Sequence, residues 1–174
     1  MSRKIKQDIF AIFVEGESEM IYFKALNQQQ WVRDSKYKLN LIRCKNHDEL
    51  LKIAFKGKHG RKDLDNYNKV AFIFDKDHIT KEKFNKLLKL NYIIGFSNPK
   101  VELWFLAHYE KLQTSYSDVE KKLKKYFPDY TKTIFKIASL AQSYEKAIEN
   151  STSVSNPDFD QICTSVGKII EEIL

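Results

Sequence analysis

Three acids stand where short apolar runs end. Glu15 follows "IFAIFV" (9–14), Asp75 follows "VAFIF" (70–74), and Asp77 comes two positions later in "DKDH". Carboxylates brought to one place repel each other unless a cation sits among them. Oxygen donors with no Cys cluster nearby favour a hard ion, Mg²⁺ or Mn²⁺. Such an ion polarises a phosphate and activates water, while an unbound carboxylate moves protons. That is the chemistry of phosphoryl transfer and phosphodiester cleavage. If "DKD" is extended, Asp75 and Asp77 point one way and Lys76 the other. Each acid also has a plainer reading, since glutamates after a strand often serve a helix N-terminus and a lone D-x-D is a weak signal.

The elements around these acids must bring them together. "IFAIFV", "KLNLIRC" (38–44), "VAFIF" and "NYIIGF" (91–96) read as strands, and most are continuous apolar runs. Between them lie helical patterns at 18–31, 46–57 and 80–90, with Ser18 and Gly57 as expected caps. The segment 58–69 reads as a polar loop. The βαβαβαβ order predicts an α/β fold with a four-stranded, mainly parallel sheet flanked by helices. Ligands of such sheets bind at the carboxyl ends of the strands. Glu15, Asp75, Asp77, Ser97 and Asn98 all fall at that edge.

After residue 97 only helical patterns follow. "SNP" is expected to stop the fourth strand and start a helix, with Asn98 as cap and Pro99 at its first position. Further helices are expected near 117–126, 132–149 and 157–174, with 149–157 as a linker. The last carries a stripe of Ile162, Val166, Ile169, Ile170 and Ile173. The expected division is a core over 1–98 and a helical extension over 99–174 packed on it.

Glu102 is either a dipole-favoured first-turn acid or a further acid brought to the sheet edge. Glu17 and Glu19 read as helix-start residues and His108 as structural. His78 is either an exposed turn residue or a group that meets substrate. Lys58, His59, Arg61 and Lys62 form a basic stretch suited to nucleic-acid phosphates. The net charge of +7 permits an anionic partner. With 43% hydrophobic residues the chain can bury a core. No apolar run reaches the length of about 20 that a membrane-spanning helix needs. The basic start "MSRKIKQDIF" lacks the apolar region of a signal peptide. Two separated cysteines, Cys44 and Cys163, suit free thiols. Together these predict a cytoplasmic protein with no membrane partner.

Three segments together resemble RloB-like proteins, which carry a Toprim fold: "FVEGESEMIYFKAL", "VAFIFDKDH" and "GFSNPKVELWFLAHYE". "YFPDYTKTIFKI" and "NPDFDQICTSVGKIIEEIL" extend the resemblance over nearly the whole chain, and "SNPKVELW" is its most specific part. The resemblance implies a Rossmann-like Toprim core, shared with topoisomerases, primases and OLD-family nucleases. It implies Glu15 as general acid or base, and Asp75 and Asp77 as Mg²⁺ ligands. Ser97, Asn98, Pro99 and Glu102 match its characteristic turn. Such proteins occur beside restriction–modification and abortive-infection genes, often next to an AAA-type ATPase. This implies a phage-defence nuclease acting on DNA or RNA, with that ATPase as partner. Where many relatives carry another acid after the D-x-D, this chain has His78. A second reading is a non-catalytic subunit of an ATPase complex with a degenerate metal site.

Overall fold

The computed structural model describes residues 6–174; the first five residues of the basic N-terminal stretch lie outside the described residues. The chain opens with β1 (Asp8–Val14), α1 (Glu17–Asn27), the short α2 (Gln30–Arg33) and β2 (Tyr37–Arg43). Next comes α3 (His47–Lys56), capped by the Asn46 side chain, which accepts from Glu49 N at 2.9 Å. It ends at Gly57, whose φ of 66° belongs to the left-handed region that glycine enters without steric cost. The expected loop over 58–69 instead contains a small hairpin, β3 (Lys58–His59) and β4 (Lys62–Asp63), turning at Gly60. Then follow β5 (Lys69–Asp75), α4 (Lys81–Leu87) and β6 (Ile93–Asn98).

The C-terminal part comprises α5 (Glu102–Ala107), α6 (Val119–Tyr126), α7 (Ile137–Leu140), α8 (Tyr144–Ser151), β7 (Cys163–Thr164) and α9 (Gly167–Ile173). The sheet has five strands in the order β2-β1-β5-β6-β7, not four. The first four are parallel, and β7 runs antiparallel, pairing Thr164 with Ser97 and Cys163 with Asn98. A two-residue strand has no periodicity to read, and it replaces part of the expected 157–174 helix. The α/β class holds.

Alternation along the strands splits the core in two. Phe10, Ile12, Val14, Ala71 and Ile73 face α1 and the C-terminal helices. Ala11, Phe13, Phe72 and Phe74 face α3 and α4. Helix α9 crosses β6 so closely that a Cβ on Gly95 would meet Ile169 Cδ1 at 2.8 Å. Val166, Ile169, Ile170 and Ile173 of the expected stripe are buried there, and Ile162 is half-buried. Among the described residues no helix is long and apolar enough to cross a membrane.

Asn98 does not cap a helix. It is the last residue of β6, and its side-chain amide donates to the carbonyls of Phe159 at 3.0 Å and Gln161 at 2.7 Å. With that amide committed, α5 starts only at Glu102, and Pro99 stays in the preceding turn.

Candidate functional site

The chain leaves β1 for β2 on one side and later returns for β5 on the other. The carboxyl ends of β1 and β5 therefore frame a topological switch point, where open α/β sheets bind ligands. A cleft of about 310 Å³ lies there, lined by Glu15, Glu19, His47, Asp75 and Lys132, with Arg43 beside them.

Gly16, extended at φ −75° and ψ 150°, starts α1 directly off the strand. Ser18, the expected cap, is instead buried in the first turn and donates to Glu19 Oε2 at 2.6 Å. The Glu19 carboxylate folds back over Gly16, where a Cβ would come within 2.6 Å of Glu19 Cδ. Any side chain here would push the Glu19 carboxylate out of this position, so glycine serves by the space it leaves and not by an unusual φ. The fold-back brings Glu19 towards Asp75 and Glu102. Burial raises the Glu19 pKa, with the charges of Glu102 and Glu15 adding to it and the Ser18 hydrogen bond opposing. Burial also pushes Asp75 well above the usual carboxylate range; Glu19 and Glu102 reinforce the rise, while Lys132 and the Val101 backbone oppose it.

Glu102 is fully buried, and Tyr130 donates to its Oε1 at 3.0 Å. Glu102 Oε2 and Asp75 Oδ1 are sealed from solvent without a hydrogen-bond partner among the described residues. Buried carboxylate oxygens with nothing donating to them are costly. A hard cation would relieve both the missing partners and the mutual repulsion. Among the described residues no group of three His, Cys, Asp or Glu side chains forms a ready-made metal cage. Mg²⁺ does not require one, because it keeps several waters and commonly takes one or two protein carboxylates plus substrate phosphates. The donor set thus fits such an ion at Asp75, with Glu19 and Glu102 as its charge partners.

Glu15 lies at the cleft mouth with its side chain 31% exposed, 3.5 Å from His47 Nε2. The His47 ring stacks on His78 at a centroid distance of 3.4 Å. Burial lowers the His47 pKa, and His78 adds to this while Glu15 opposes it. Arg43 pairs with Glu17 at 3.6 Å and donates from Nε to the Glu15 carbonyl at 3.4 Å.

Asp77 is not brought to this group. The chain turns into a 3₁₀ segment at Lys76–His78, so the extended alternation of "DKD" fails, and Asp77 is exposed. Lys76 lies over the Phe159 ring. Ser97 is buried, its Oγ bonded to Thr164 Oγ1 at 3.0 Å, so both Ser97 and Asn98 hold the C-terminal segment rather than line the cleft. Lys58, His59, Arg61 and Lys62 follow the far end of α3, whose ten residues place them about 15 Å from His47. Lys58 pairs with Asp63 at 3.4 Å, and His59 packs edge-on against Phe13.

The sequence reading missed Glu19, Arg43, His47, Tyr130 and Lys132. For Glu19 there was a signal in its place in the first helical turn after a strand-end acid, with a glycine between them that leaves room for its side chain. The others come from separate elements that only the fold brings together. The family model for RloB-like protein matches residues 10–173. This chain belongs to the RloB-like protein family. Searches of curated proteins and of solved structures found no match. The matched span of this RloB-like chain takes in every residue lining the cleft, Lys132 beyond the parallel strands included, and also Tyr130, which holds Glu102.

Proposed function

We propose that this RloB-like chain is a Toprim-type nuclease that cleaves nucleic-acid phosphodiester bonds with Mg²⁺ or Mn²⁺. The observation that carries this reading is the pair of buried, unpartnered carboxylate oxygens, Asp75 Oδ1 and Glu102 Oε2, beside the strand switch point. Asp75 would hold the cation, with Glu19 and Glu102 supplying the surrounding negative charge and Tyr130 fixing Glu102. When bound, the ion supplies Lewis acidity to the phosphate and to water.

The remaining groups divide the rest of the work. Glu15, at the open mouth of the cleft, accepts the proton of the attacking water, and His47 orients its Oε2 from 3.5 Å. Lys132 and Arg43 meet the phosphate charge. Asp77 stands outside this set. On the family resemblance, the proposal extends to an anti-phage effector working with an AAA-type ATPase.

The test is a cleavage assay on DNA and RNA with Mg²⁺ or Mn²⁺, with a chelator control, and with and without an AAA-type ATPase if one is encoded beside it. Metal-dependent cleavage that disappears in both Glu15→Gln and Asp75→Asn supports the reading. Undiminished cleavage by both variants overturns it. Co-purification with the ATPase without cleavage favours the regulatory subunit.

A further inference from the structure

Beyond the cleft, the segment after Tyr130 presents an unusual surface. Phe135 is 81% exposed, the most exposed large apolar side chain among the described residues. Its neighbours do not share this exposure: Ile134 is half-buried and Ile137 fully buried. Turns fix the backbone on both sides, Ile134 N donating to Thr131 O at 3.2 Å and Ala138 N to Phe135 O at 2.9 Å. The ring is held outward on an anchored segment.

The surroundings indicate what it meets. From Tyr130 to Tyr144 there is no acidic residue, and Lys132 and Lys136 are the charged ones. Lys132 lines the acidic cleft and stands three residues from Phe135, at most about 10 Å of chain. Lys136 lies over the Phe127 ring and pairs with Asp129 at 3.4 Å, but both charged side chains are more than half exposed, so the pair is weak and the ammonium stays in reach of solvent. Beside the ring is an open depression of about 520 Å³ carrying Gln28, Ser139 and Gln142, uncharged groups that both donate and accept hydrogen bonds.

We propose that Phe135 is a stacking platform for an unpaired base of single-stranded nucleic acid, whose backbone runs past Lys136 and Lys132 into the cleft. An exposed aromatic ring among lysines is how sequence-tolerant single-strand binding is built, because every base offers a π-face. A duplex keeps its bases stacked on each other and has none to give. The amides of Gln28 and Gln142 face the edges of the stacked base. The assignment rests on the phosphodiesterase reading of the cleft.

The test measures binding of labelled single-stranded DNA and RNA, and of a blunt duplex, by fluorescence anisotropy in chelator, with cleavage read separately. Phe135→Ala is expected to weaken single-strand binding by about 5- to 150-fold, the worth of one stacked base, and to leave duplex binding unchanged. Phe135→Tyr keeps wild-type affinity, and Phe135→Leu behaves like the alanine variant. The exposed position makes all three neutral to folding. Equal single-strand affinity of Phe135→Ala and wild type overturns the proposal. Full affinity in Phe135→Leu also overturns it and points to an apolar protein partner. Cleavage together with unchanged Phe135→Ala binding sinks the platform and spares the nuclease. Ring-dependent binding without cleavage by the wild type does the reverse.

Discussion

The two ends of α5 carry buried polar groups of opposite character. At its start, Glu102 has one oxygen held by Tyr130 and the other without a partner among the described residues. At its C-cap, His108 is 3% exposed and fully paired, Nε2 to the Tyr22 hydroxyl and Nδ1 to the Trp104 carbonyl, each at 3.0 Å. His108 closes on its own helix and on α1, and Trp104 and Tyr22 meet its ring edge-on. Trp104 Nε1 also has no partner among the described residues, but one neutral N–H costs less than a carboxylate oxygen. The difference separates a polar group that the fold satisfies on both sides from one whose second oxygen no described residue satisfies.

The sharpest way to break this contrast is at the open end. Asp75→Asn, or Glu102→Gln, is expected to lower metal-dependent cleavage by more than about 100-fold, since partners one shell further from a metal already cost 10- to 100-fold. Circular dichroism should show the fold intact in both.

The closed end shows itself in stability. Burial lowers the His108 pKa to about 4 from an ordinary 6.5. Between those values the unfolded state binds more protons, so the stability present above pH 6.5 falls as pH drops through the window. At about 1.4 kcal/mol per pH unit the loss is roughly 3 kcal/mol. Urea titrations at pH 7 and 4.5 should show a larger drop for the wild type than for His108→Gln.

The acid cluster has the opposite sign. Glu19 and Asp75 hold their protons more tightly folded than unfolded. Metal-free protein therefore loses stability as pH rises from their ordinary values of 4.5 and 3.8 through the raised ones. Mg²⁺ at about 100 times its Kd should return about 2.7 kcal/mol, measured as a rise in Tm at neutral pH. In Asp75→Asn that rise should vanish. The smallest effect is expected from Tyr130→Phe, which removes one hydroxyl from Glu102 and should slow cleavage about tenfold.

The apolar runs of β1, β5 and β6 were readable because strands buried on both faces need no alternation. Glu15 and Asp75 were readable because they end such runs. Glu19 was not, because a first-turn glutamate already has an adequate purpose in the helix dipole, and its fold-back depends on the space above Gly16. The extended alternation expected of Asp75 and Asp77 fails because the strand stops at Asp75, which leaves Asp77 out of the cleft lining. The basic stretch at 58–62 does not line the cleft, and charge alone could not say so. Lys132 was legible only as one lysine among many.

The pairing of Thr164 with Ser97, and of Tyr130 with Glu102, has a consequence for timing. A ribosome delivers the acids of the cleft first and the groups that complete it last. A nascent chain that ends before Tyr130 lacks the clamp on Glu102 and the Lys132 charge. The site is therefore incomplete until the segment that carries Tyr130 and Lys132 has been made and has folded back onto the strands.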